Sequence, residues 1–135
     1  MKNFIISCLL LLLSTYVVAE IVVIGNIKNT QQLSALQIQD IYMGRTRTLP
    51  DGKLAYPFDQ ADLRGEFYLK LTQRPVAQIN AYWARLMFSG QTSPPTKLPD
   101  DQSIIEMVKK HEGAIGYINK ENVDKSTVHI LLMME

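Results

Sequence analysis

The chain has 135 residues, 47% hydrophobic and 20% charged, with 14 Lys and Arg against 13 Asp and Glu. That length predicts one domain, able to bury on the order of two-thirds of its unfolded surface. Balanced charge without a long run of one sign excludes a nucleic-acid stripe or polybasic membrane patch, and a single cysteine, Cys8, excludes a disulfide framework.

In chain order, Lys2 is followed by an apolar run over residues 4–13, interrupted only by Ser7 and Cys8, and then by Val17-Val18-Ala19. This is the layout of a secretory signal peptide. The run falls short of the roughly 20 apolar residues that a bilayer-spanning helix needs. Cleavage is therefore expected after Ala19, leaving residues 20–135 as one exported, periplasmic domain with no thiol and no membrane span. Ile21-Val22-Val23-Ile24-Gly25 reads as a buried strand. Ser34 with Gln37 has capping-box spacing. Leu36, Ile38, Ile41 and Tyr42 then form an apolar helical face, and Gly44 is the expected stop.

Residues 44–52 read as a loop with a turn at Pro50-Asp51-Gly52. Residues 54–58 read as a second strand, and Pro57 places it at a sheet edge or near a strand end. Asp59 and Asp62 are candidate caps for a helix carrying Leu63, Phe67 and Leu71 on one face. Pro75 starts a new helix with Val76, Ile79, Trp83 and Leu86 inward. Residues 89–99 read as a loop. Asp100 or Asp101 caps a helix that buries Ile104, Ile105 and Val108 and ends at Gly113. Strands are expected at residues 114–118 and 127–133. Strands alternating with helices predict an α/β layer fold.

The chemistry of catalysis is missing from this pattern. His111 and His129 are far apart and lack metal-ligand spacing with Cys, Asp or Glu. His111 suits a helix C-terminus. A nucleophile elbow, a phosphate-binding loop and the dinucleotide glycine fingerprint are all absent. Asp100-Asp101 fits a cap better than an acid–base pair, and Tyr68, Tyr82 and Trp83 fit packing. The chain is therefore expected to be no enzyme and to need no cofactor or metal.

Two places offer donors for a small anion. The first is the helix start after Phe58, where free N–H groups lie beside Gln60 and Arg64. Asp59 and Asp62 oppose an anion there, and capping with an Arg64 pair is the plainer interpretation. The second is Gly44-Arg45-Thr46-Arg47-Thr48, in which Arg45 and Arg47 flank the Thr46 hydroxyl. Its plainer interpretation is a solvated loop.

Taken together, Leu33-Ser34-Ala35-Leu36 through Ile41-Tyr42-Met43-Gly44, Leu49-Pro50-Asp51-Gly52, Tyr56-Pro57, Leu63-Arg64-Gly65-Glu66-Phe67-Tyr68, Trp83 with Phe88-Ser89-Gly90, and Gly113-Ala114-Ile115-Gly116-Tyr117 resemble short members of the phosphate-type periplasmic substrate-binding proteins of ABC transporters. The resemblance implies a single lobe of a type II periplasmic-binding-protein-like fold, with a small mixed sheet flanked by about four helices. It also implies a link to phosphate transport. Full-length members of that family carry Arg-x-x-x-Ser-Gly-Thr at the corresponding helix start. Here Asp59 stands where that arginine would be, and Leu63-Arg64-Gly65 where Ser-Gly-Thr would be, so those ligands do not carry over. Two functions follow as expectations. One is a solute-binding module for phosphate or another small anion. The other is a periplasmic protein-interaction or sensory accessory domain that has lost its ligand. The expected partners are a small phosphate-like anion, a membrane transporter or sensor, and a second copy that could form a homodimer.

Overall fold

The computed structural model describes residues 20–135, so the expected signal peptide lies outside the described residues. Ile21–Asn26 form β1, with every residue buried, as a strand covered on both faces requires. A polar stretch leads to α1 (Ala35–Tyr42), which opens on the expected capping box: Gln37 N–H donates to Ser34 Oγ at 3.1 Å and Ser34 N–H to Gln37 Oε1 at 2.8 Å. Then follow β2 (Tyr56–Gln60), α2 (Arg64–Thr72), α3 (Val76–Phe88) and β3 (Thr96–Leu98). The chain ends with α4 (Asp101–Lys110), β4 (Ala114–Asn119), a 3-10 turn at Lys120–Asn122, and β5 (Val128–Met134).

The five strands lie in the order β3-β2-β4-β1-β5. β1 runs antiparallel to β4 and β5, while β2 is parallel to β3 and β4. Among the described residues, the sheet is mixed and flanked by four α-helices, which is the expected architecture. Alternation along each strand sorts the core into two layers. Ile21, Val23, Ile115 and Tyr117 face α1, α2 and α3. Val22, Ile24, Ala114 and Ile118 face α4 through Ile104 and Val108. The first layer is aromatic at its centre: Phe67 stacks on Tyr117 with ring centroids 3.6 Å apart, and Tyr42 meets Phe67 edge-on at 4.8 Å.

Three expectations are revised. The second strand begins at Tyr56, two residues later than expected, because Leu54 instead bridges Thr48 across the Pro50–Gly52 turn. Tyr56 N–H donates to Gly113 O on the β4 side, so the position of Pro57's missing N–H faces the β3 side, where pairing starts only at Phe58. The stretch over residues 89–99, expected to be loop throughout, contains β3. Three residues with Lys97 at their centre carry no apolar period, and only pairing with β2 makes them a strand. Finally, neither Asp59 nor Asp62 caps α2: its N-cap is Leu63, which makes no side-chain cap bond.

Candidate functional site

β2 runs out of the sheet into α2, and β3 runs into α4 on the opposite face. The two helix starts therefore meet at the carboxyl ends of parallel strands, the usual crevice for ligands in open α/β sheets. Here the protein's own side chains fill it. Asp59 is 2% exposed. It accepts from Tyr68 Oη and Tyr117 Oη, each at 3.0 Å, and from Arg64 Nε at 3.2 Å. Arg64 Nη1 also donates to Asn80 Oδ1 at 2.7 Å, and the guanidinium sits 5.3 Å from the Tyr68 ring centroid. Burial pushes the Asp59 carboxyl above its usual range, against the opposing pull of the Tyr68 and Tyr117 hydroxyls and of Arg64. The Tyr68 and Tyr117 hydroxyls are raised by their own burial first and by the Asp59 charge second.

Gln60, expected to donate to a ligand, is buried and committed at both ends. Its Nε2 donates to Asp101 Oδ1 at 2.9 Å, and its Oε1 accepts the N–H groups of Asp62 and Leu63. The cap of this turn is therefore a neutral amide, in place of the expected acids. Asp101 Oδ2 in turn accepts from Asn119 Nδ2 at 2.9 Å and Asn122 Nδ2 at 2.7 Å, which ties the start of α4 to the end of β4. Asp100 is the cap of α4, accepting from Ser103 N–H at 2.8 Å. The crevice is thus occupied by an acidic, internally bonded network in which Gln60 and most of the Arg64 guanidinium are already engaged.

The second expected place has a different character. A cavity of about 220 Å³ lies between the end of α1, the hairpin before β2, and the loop after α3. Its polar lining comes from Thr46, Arg47, Thr92 and Ser93, and its apolar lining from residues such as Ile41, Tyr56, Trp83 and Pro95. Among the described residues, no acidic one lines it. Arg47 is set on a short hairpin closed by Leu49 N–H to Lys53 O at 2.8 Å and Ala55 N–H to Arg47 O at 2.9 Å. Gly113 lies against the Leu54 carbonyl with no room for a Cβ, which seats that hairpin on the start of β4. Gly44 has φ +73°, and a Cβ there would meet Trp83 Cη2 at 2.8 Å, so only glycine lets the chain turn this close to the indole.

The Arg47 guanidinium makes one hydrogen bond, from Nη2 to Gln91 O at 3.1 Å, and pairs with no carboxylate among the described residues. Arg45 does not join it, because it is drawn away to Asp40 at 3.3 Å. Thr46 and Arg47 are brought together, while Gln60 and Arg64 are held elsewhere. The chain's only tryptophan, Trp83, forms a wall of the cavity. It is 3% exposed, and its buried indole N–H has no acceptor. Sequence reasoning missed Tyr56, Trp83, Thr92 and Ser93 as a group because they lie on separate elements. The hydroxyl- and proline-rich stretch after Gly90 was the available signal.

Among the described residues, no cluster of His, Cys, Asp and Glu could hold a metal, and no helix is long and apolar enough to cross a membrane. The described residues form one α/β unit. Its fold matches a structure from Clostridium perfringens described as a phosphate ABC transporter substrate-binding protein with bound phosphate, at TM-score 0.64 and 21% identity over 84% of this chain and 44% of that one. It also matches an ABC-type phosphate transport receptor from Vibrio cholerae, at TM-score 0.63 and 17% identity over 84% and 45%. A third match, from Planctomyces limnophilus and described as a phosphate binding protein, has TM-score 0.58 and 14% identity over 84% and 40%. The chain spans less than half the length of each. No family model and no curated protein matches.

Proposed function

We propose that this chain is an exported, periplasmic solute-binding module that takes a small anion in the Arg47 cavity rather than at the start of α2, in concert with a membrane transporter or sensor. The observation that carries this is the placement of charge. The cavity holds one guanidinium without a carboxylate partner and no acid in its lining, whereas Arg64 is neutralised by buried Asp59. A fork of guanidinium donors beside hydroxyls and an apolar wall suits an oxyanion. The fold supports the solute-binding class.

Calorimetry on the purified protein with phosphate, sulfate and benzoate tests it. Saturable heat is expected from at least one anion, weakened ten- to hundredfold in Arg47→Gln, since a charge-assisted hydrogen bond contributes about 1.5–3 kcal/mol. A silent panel would favour the second reading, a protein-interaction or sensory accessory domain. That reading is motivated by the filled crevice and by Phe88, which stands 96% exposed at the end of α3 beside half-exposed Met87.

A further inference from the structure

We infer that the Arg47 cavity selects a monocarboxylate with an apolar body over a tetrahedral oxyanion such as phosphate; this rests on the anion-binding function proposed for the same cavity. Size is the first reason. A volume of about 220 Å³ is roughly seven times the ~30 Å³ share of one water molecule. A four-oxygen anion leaves much of that space unfilled. The second reason is the character of the walls. Ile41, Leu54, Tyr56, Trp83 and Pro95 present carbon to the interior, and a compact, fully hydrated dianion gains nothing against carbon while losing its water.

The third reason is the count of charge. Among the described residues, Arg47 is the only charged one in the lining, so it balances one negative charge and leaves the second charge of a phosphate dianion uncompensated. With one N–H directed to Gln91 O, the guanidinium retains enough of its planar fork to grip a carboxylate in two parallel hydrogen bonds. Thr46 and Ser93 supply hydroxyls that donate to the same oxygens, and the body of the ligand lies against the Trp83 wall.

Trp83 makes the test direct, because one tryptophan gives one fluorescence signal and one indole N–H resonance. The purified protein is titrated with benzoate, with benzamide as its uncharged equivalent in shape, and with phosphate. Benzoate is expected to shift the Trp83 emission and move the indole cross-peak saturably. Benzamide should bind at least tenfold more weakly, and phosphate should neither move the cross-peak nor displace benzoate. Arg47→Gln should weaken benzoate at least tenfold with an unchanged melting temperature, and Arg45→Gln should leave it unaltered. Equal binding of benzamide and benzoate overturns recognition of the carboxylate. Saturable phosphate binding lost in Arg47→Gln, with benzoate silent, overturns the inference but leaves anion binding standing. Silence toward all three compounds overturns both.

Discussion

Arg64 opens α2 and Arg47 stands on the hairpin before β2, and the two have opposite fates. Arg64 folds onto a carboxylate that is almost completely buried, donates to Asn80 and covers the Tyr68 ring. Arg47 lies on an exposed hairpin, holds one main-chain carbonyl and keeps its charge beside an open cavity. A helix start or an arginine is thus no measure of anion affinity by itself. What matters is whether the fold has already provided the counter-charge. At the start of α2 it has, and that region is built for stability. Around Arg47 it has not.

Substitutions that exchange these fates break the comparison, and the largest effect is expected at the closed region. Arg64→Ala should destabilise the fold by about 3 kcal/mol in urea unfolding, since removing one partner strands a buried carboxylate. The cost stays at the lower end of its usual range because Asp59 can take up a proton. Affinity in the Arg47 cavity should not change, and a parallel loss of affinity would show the two regions to be coupled. Tyr117→Phe comes next, at about 2 kcal/mol, because it removes one of the two hydroxyls donating to Asp59. Denaturant midpoints compared with those of wild type measure it.

Asp59→Asn tests the electrostatics by pH. The Asp59 carboxyl is raised in the fold above its ordinary value of 3.8, chiefly by burial. The folded state therefore holds this proton more tightly than the unfolded chain does. The contribution is fully present below pH 3.8 and is lost as pH rises toward the raised value. In that window, the stability of wild type minus that of Asp59→Asn should fall with pH, by at most about 1.4 kcal/mol per pH unit for one proton. A difference that rises with pH would mean that Arg64 and the tyrosines outweigh burial. The smallest effect on folding is expected from Arg47→Gln. It should change stability by about 0.5 kcal/mol or less, as exposed substitutions do, while weakening the ligand at least tenfold. A large loss of stability would make Arg47 a second structural arginine and end the contrast.

The local signals in the sequence held where one element's own periodicity or end chemistry is decisive. Ser34 and Gln37 form their box, Gly44 turns the chain after α1, and Asp100 caps α4. Phe67 with Leu71, Ile79 with Trp83, and Ile104 with Val108 all face the core. Asp59 and Gln60 were misjudged as a cap and a donor, because their partners Tyr68, Tyr117 and Asp101 lie 9, 58 and 41 residues away. Three residues of β3 gained strand form only from a neighbour already in the sheet.

Backbone preference, side-chain period and capping act over a few residues, so the chain by itself determined its helices, its longer strands and the α/β class. The final use of each charged group depends on dielectric surroundings and on counter-charges brought in from other elements. The pairing of Arg64 with a nearby acid was legible in the sequence, but only the packed tertiary structure decided that Asp59 would be buried beneath Tyr68 and Tyr117, that Gln60 would be tied to Asp101, and that Arg47 would line a cavity with Trp83.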